Sequence, residues 1–452
     1  MNRRFSRLLA ILVVLASIPL VASSPERPSS KVFPNVLIVS IDTLRADHVS
    51  AYGYSRSTTP NLDVLISDGV RFDRARTIEP LTGPALVSML TSVHPHEHGA
   101  SRNGLRMRTG MASLPKALQA RGYRTMAYVG NWTLRDKLSG LAEHFESYEE
   151  VLTRNRWWGL VGREANAEDL TDAALGWLES NASRASADPF FMWVHYVEPH
   201  APYRLHRDHL KQLGIYSSSN VPPKDRYDTE IAFVDASVGR LLDHMNRTKL
   251  NEDTIIVFLS DHGESLGEHG YWGHGRNLYE PTLRIPMSIT WKGHLQAGTI
   301  EAPSLIIDVA PTILGMLDEE GPSTFEGVDW AGVFVGDAAP MDRQTLYQAH
   351  RGAVMSKHES ELARRSGLLE VGVIQDEKKE IFHVGKSQRQ FYDLTGDPLE
   401  LDDLSDKKDP PTEWLVTWMR SVFDGLVTVE DSPPEPLDEE SIEALRSLGY
   451  VD

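Results

Sequence analysis

The run Asn35 to Ile41 (NVLIVSI) decides how this chain is read. It is a continuous, branched apolar stretch of the kind that forms a strand buried on both faces. Two later runs share that character, Phe190 to Val197 (FFMWVHYV) and Thr254 to Leu259 (TIIVFL). Helical patterns lie between them, notably at Asn61 to Ser67 and at Glu230 to Asn246. Alternating strands and helices predict an α/β fold, a mostly parallel sheet with helices on both faces. From about Gly321 the pattern changes to short strand-like pieces, including Glu380 to Val384 and Gln390 to Leu394, separated by charged turns. The organisation expected is a main domain over 35–320, a small α+β subdomain over 321–410, and a tail over 411–452. That tail holds an acidic, Pro-rich stretch and then a short helix, Ser441 to Leu448, with Gly449 after its end.

Residues 1–24 read as a signal peptide and 25–34 as a linker. Arg3, Arg4 and Arg7 precede an apolar run from Leu8 to Val21, and small residues follow at Ala22, Ser23 and Ser24. The run is shorter than the roughly 20 residues of a transmembrane helix. Export to a periplasmic or extracellular location is expected, with membrane contact only through an uncleaved N-terminal segment. The chain has no Cys. Disulfides, Cys-ligated zinc and a Cys nucleophile are therefore excluded. The net charge of -18 becomes -21 once the three leader arginines are removed. Nucleic acid is thus excluded as an expected partner, since its binding rests on Lys and Arg. A small anionic substrate is also repelled, except where bound cations reverse the local field.

Ligands of open α/β sheets bind beyond the carboxyl ends of the strands. Here each of the three strands ends in potential metal ligands: Asp42 after the first, Glu198 and His200 after the second, Asp261 and His262 after the third. Any one alone would more often be a solvated loop residue. Their shared placement points to a site for zinc or another first-row divalent ion. His274, in the Gly-rich loop Gly267 to Gly275, is a further candidate ligand, whereas His269 of the same loop is more simply a backbone-bonded residue. The nucleophile candidate is Thr82, in Glu79-Pro-Leu-Thr82-Gly-Pro84. Pro84 belongs in a first helical turn, which puts Thr82 at or near a helix N-cap, where free N–H groups suit a phosphate or sulfate. A rival motif, Gly263-Glu-Ser265-Leu-Gly267, matches the G-x-S-x-G elbow of serine esterases, but the strand before it ends too early and no helix follows.

Together, Asn35 to Asp47 (NVLIVSIDTLRAD), Thr59 to Phe72, Gly122-Tyr-Arg-Thr, Ser260 to Glu264 (SDHGE), Leu283-Arg-Ile-Pro286 and Gln390 to Leu404 resemble, in order, the motifs of the sulfatase family of the alkaline phosphatase superfamily. The resemblance implies that Asp42, Asp261 and His262 bind metal, and that Thr82 stands where sulfatases carry the Cys or Ser converted to formylglycine. The departures are as informative. The family pattern C-x-P-S-R becomes Thr82-Gly-Pro84-Ala-Leu86, so formylglycine cannot form and the helical Arg is lost. The Gly-Lys-Trp-His pattern becomes Gly130-Asn131-Trp132-Thr133, and His274 stands for a late substrate-binding Lys. Losing those cations dismantles a sulfate cradle, whereas gaining a His suits a second metal. That combination is similar to the nucleotide pyrophosphatase and phosphodiesterase branch, where a Thr nucleophile bridges two zinc ions.

The resemblance implies a hydrolase of phosphoric, and secondarily sulfuric, esters. Asp42, Thr82, Asp261 and His262 would surround one ion, and Glu198, His200 and His274 the other. Two zinc ions are expected, with one calcium or manganese ion as the alternative. The substrate would be a small anionic ester or a glycan- or lipid-linked ester. Two other readings keep the same fold: a transferase passing a phospho group to an envelope glycan or lipid, and a non-catalytic binding protein on a degenerate sulfatase scaffold.

Overall fold

A computed structural model describes residues 33–423, apart from 153, 157–160, 183–187, 217–218, 353–363, 365 and 407–412. The signal peptide, most of the linker and the expected helix at Ser441 to Leu448 lie outside the described residues. Eight strands form one sheet: β1 (Asn35–Ile41), β2 (Val70–Phe72), β3 (Arg124–Val129), β4 (Ser147–Glu150), β5 (Phe190–Tyr196), β6 (Thr254–Ser260), β7 (Met287–Thr290) and β8 (Gly298–Ile300). Their order across the sheet is β8-β2-β7-β6-β1-β5-β3-β4. β1 lies at the centre, parallel to both β5 and β6, while β7 runs antiparallel to β6 and β2. The three expected strands are thus adjacent and parallel, and they are almost wholly buried, as continuous apolar runs require.

One face of the sheet buries Leu37, Val39 and Ile41 of β1 with Met192, Val194 and Tyr196 of β5. They pack against the apolar stripes of α1 (Pro60–Ser67), α3 (Ala167–Ala182) and α4 (Pro223–Thr248). α4 is longer than the stretch Glu230 to Asn246 that periodicity marked. Its first two turns are rich in charge, and Pro223 at the first helical position starts the helix without needing an apolar face. Asp235 of α4 accepts the N–H groups of Asn61 and Leu62, so one helix holds the start of another. α2 (Thr82–Thr91) and α5 (Val309–Met316) pack together elsewhere in the fold.

The C-terminal region forms a four-stranded antiparallel sheet: β9 (Thr345–His350), β10 (Leu368–Gln375), β11 (Lys378–His383) and β12 (Gln388–Asp393). The sequence marked only the last two. β10 is apolar and β11 is charged, yet Lys379 of β11 is fully buried. Its ammonium group meets Glu280 at 3.1 Å and Glu400 at 2.6 Å, and Glu280 also accepts from Arg76. Burial alone would raise the Glu280 carboxyl, but Arg76 and Lys379 hold it below the usual range. A carboxylate held low contributes stability above its unfolded value, and that contribution is lost as pH falls. Removing one member of such a buried network strands the others. Lys379→Met is therefore expected to cost about 3–5 kcal/mol in urea melts, with the loss shrinking toward acid pH as the stranded carboxylates protonate.

Candidate active site

The parallel register pairs Ile41 with both Tyr196 and Ser260. The next residues, Asp42 and Asp261, therefore emerge side by side at the carboxyl edge, and both are fully buried. Thr43, directly after Asp42, is β-branched and buried at φ 56, a backbone conformation that costs about 1–3 kcal/mol. Three bonds hold this turn. Thr43 N–H donates to Asp261 Oδ1 at 3.1 Å, Tyr227 O–H donates to Thr43 C=O at 2.7 Å, and Arg45 N–H donates to the same Tyr227 oxygen. Asn131 Nδ2 donates to Asp42 Oδ2. The two carboxylates are thus fixed from several directions.

His262 supplies an imidazole to this pair. Its Nδ1–H faces Gly263 C=O at 2.9 Å, leaving Nε2 as the lone pair. That atom lies 3.5 Å from Asp261 Oδ2, 3.8 Å from Asp42 Oδ1 and 3.4 Å from Thr82 Oγ1. His274 packs on His262 with ring centroids 4.5 Å apart, and His200 on His274 at 5.0 Å. Each has one ring nitrogen engaged, His274 Nδ1 with Glu264 Oε1 at 3.0 Å and His200 Nδ1 with Ala201 C=O at 2.7 Å. These contacts join Asp42, Thr82, Asp261, His262, His274 and His200. Glu198 is half-buried beside the cis Glu198–Pro199 bond, and its charge acts on Tyr196, whose hydroxyl meets Thr171 of α3.

Thr82 is the first residue of α2, one position inside the helix, with Leu81 at the N-cap. The free N–H groups expected there are mostly taken. Gly83 N–H donates to Asn103 Oδ1 at 2.8 Å, Pro84 has none, and Ala85 N–H bonds Leu81 C=O. Asn103 replaces them. Its orientation is set by the Gly83 bond, and its Nδ2 is a buried donor with no hydrogen-bond partner among the described residues. A Cβ on Gly83 would sit 2.8 Å from that Oδ1, so a larger residue there would have to push the Asn103 amide aside. The segment leading into α2 is tied to β9. Gln348 N–H donates to Ile78 C=O, and His350 donates its N–H to Glu79, its ring also bonding the carboxylate at 3.0 Å.

The sequence missed Asn103, and it missed His195. His195 is fully buried within β5 on the side of Ser40, with Nε2 3.9 Å from Asp42 Oδ2. The rival Ser265 lies in a two-residue ladder against Trp272–Gly273, without the strand-to-helix turn an elbow needs. His269 stacks on Tyr279 at 3.8 Å, in keeping with the plainer reading of it.

The cluster fits a divalent cation. Burial and the neighbouring Asp42 push the Asp261 carboxyl well above its ordinary range, and its Oδ2 has no hydrogen-bond partner among the described residues. Burial, then His274, keeps His262 neutral, the form that binds metal. Asp42, His195 and Asp261 present ligand atoms all within 4.8 Å of one another. Two adjacent buried carboxylates are relieved by protonation of one or by a cation that both can bind.

The sulfatase family model matches residues 34–319, and the model described as N-sulphoglucosamine sulphohydrolase, C-terminal, matches 267–421. The chain is 25% identical to an N-acetylglucosamine-6-O-sulfatase of Bacteroides thetaiotaomicron, over 88% of this chain and 87% of that protein. It is 25% identical to a multifunctional alkaline phosphatase superfamily protein of Trinickia caryophylli, over 89% of this chain and 98% of that one. The phosphonate monoester hydrolase of Agrobacterium radiobacter shares its fold, with TM-score 0.67 at 18% identity, over 86% of this chain and 94% of that one.

Adding zinc or manganese to chelator-stripped protein is expected to raise its melting temperature, with about 2.7 kcal/mol gained at a hundredfold excess over Kd. Asp261→Asn should make the stripped protein more stable than stripped wild type, by relieving carboxylate repulsion, and should abolish most of the cation response in scanning calorimetry.

Proposed function

The chain belongs to the sulfatase family of the alkaline phosphatase superfamily, and on that footing we propose that it hydrolyses phosphoric mono- or diesters, with sulfuric esters as poorer substrates, through Thr82 as nucleophile. The observation that carries this reading is the buried Thr82 hydroxyl, 3.4 Å from His262 Nε2, at the start of a helix whose next turn presents Leu86 rather than a cation. His262 in turn faces Asp42 and Asp261, and the neighbouring Gly83 carries Asn103. Such a pocket in a chain of charge -18 repels an anion unless a bound cation supplies the positive field.

Asp42, Asp261 and His262, with Thr82, would hold that cation, with His274 of the Gly-rich loop packed on His262 and His200 packed on His274. A bound divalent ion lowers the pKa of an adjacent hydroxyl and stabilises charge on the transferring group. The chain's own residues do the rest. The Thr82 oxygen, fixed by α2 and with its proton released to solvent water, forms a bond to phosphorus while the bond to the leaving oxygen breaks. Asn103 Nδ2 donates to an equatorial oxygen, which carries more charge in the transition state. His274 is raised above its ordinary range, because Glu264, with Asp42 and Asp261, outweighs the effect of burial. Its imidazolium protonates the leaving group, and the neutral ring then takes a proton from the water that releases phosphate from Thr82. In the alternative with a second ion, His200 and His274, with Glu198, would hold it, and His274 would then be a ligand rather than the acid. Export directed by residues 1–24 belongs to the same reading, and N-terminal sequencing of the mature protein tests it.

Turnover of nitrophenyl phosphate, phosphodiester, phosphonate and sulfate esters by metal-loaded protein tests the function. Thr82→Ala is expected to lower kcat on the preferred phosphoester by at least about 100-fold, while Thr82→Ser keeps measurable activity. If Thr82→Ala turns over like wild type, the mechanism is wrong. Asn103→Asp keeps the acceptor for Gly83 N–H but removes the donor. It should cost about 10²–10³ in kcat with little change in KM.

A further inference from the structure

We infer that His195 is a metal ligand, so that Asp42, Asp261, His262 and His195 together form a donor set of two oxygens and two nitrogens that selects zinc or a similar first-row ion over calcium. The inference rests on the metal-dependent reading above and adds to it a residue from inside a strand. Strand geometry makes the placement firm. Ser40 of β1 and His195 of β5 are in register, and Asp42 lies two positions beyond Ser40, on the same face. The imidazole therefore rises from the floor of the sheet toward the carboxylate pair.

The ring is held and aimed. Trp193 Nε1–H donates to Ser40 Oγ at 2.8 Å, and His195 Nδ1 lies 2.9 Å from the same oxygen. The hydroxyl oxygen has two lone pairs and can accept both N–H groups, which leaves the Nε2 lone pair facing Asp42. A hydrogen bond from the ring to a fixed partner is the usual support of a ligating His. His195 Nε2 is fully buried with no hydrogen-bond partner among the described residues. Its 3.9 Å separation from Asp42 Oδ2 is too long for a hydrogen bond. It lies within reach of a shared ion, since ligands about 2.0–2.1 Å from zinc stand about 3.3 Å apart in a tetrahedral site and at most about 4.2 Å. Calcium prefers six to eight oxygens, so two imidazoles facing two carboxylates favour a softer ion.

The test is metal affinity, read by chelator competition and by the visible spectrum of the cobalt-loaded full chain, for wild type, His195→Gln and Ser40→Ala. The expected result is a loss of zinc and cobalt affinity of at least about 10–100-fold in His195→Gln, an altered cobalt spectrum, and unchanged or stronger calcium binding. Ser40→Ala keeps the ligand but loses its support, and should show a smaller loss. Wild-type affinity and spectrum in His195→Gln would overturn the inference while leaving Thr82 chemistry intact. Absence of divalent metal binding in wild type would overturn both readings. Should His195→Gln fail to fold, X-ray absorption of wild type at one equivalent of zinc decides, with two or more imidazoles expected and one or none contradicting.

Discussion

Two buried carboxylates brought side by side by parallel strands are the constraint on which this molecule turns. Asp42 and Asp261 are adjacent because β1 and β6 are parallel and in register, and neither reaches water. Their repulsion is relieved only by protonation or by a cation, and the groups gathered around them suit the second. His262 is neutral and its free nitrogen faces both. Asn131 steadies one carboxylate, and two backbone N–H groups steady the other. Even the strained Thr43 fits this account, since Tyr227 and Asp261 hold it where its backbone fixes the direction of Asp42.

The C-terminal sheet takes part in the same construction. Thr82 is useful only if its helix begins at the right point, and the residues that lead into α2 are bonded to β9 through Ile78 and the fully buried Glu79–His350 pair. The Lys379 network joins the same sheet to Glu280, in the segment that follows the Gly-rich loop. A region whose described residues contribute no member of the buried cluster therefore helps to fix Thr82 and the segment after the loop that carries His274.

Much of this was legible in the sequence because it follows from strand ends. Apolar runs marked β1, β5 and β6, and the polar residues that follow them marked Asp42, Glu198, His200, Asp261 and His262 as candidates. His195 was hidden for a physical reason: it sits inside such a run, and only its pairing with Ser40 reveals that it points toward Asp42. The signal available was a lone His in an otherwise apolar run, one residue before the strand's end. Asn103 lies in a loop without periodicity, and nothing local tells that its amide reaches Gly83. β9 and β10 went unmarked because a break and a Gly interrupt their patterns. The helix N-terminus was read correctly in place but not in chemistry, because the Asn103, Leu81 and Pro84 arrangement consumes the N–H groups that an anion would use.

The central claim is that the Thr82 oxygen becomes covalently bonded to the transferred group. Rapid acid quenching during turnover of a phosphoester, followed by peptide mass mapping, measures that directly. A phosphate on the peptide containing Thr82, appearing before product and decaying with turnover, is the predicted result. Turnover with no adduct at any time point, or an adduct on another residue such as Ser265, would contradict it.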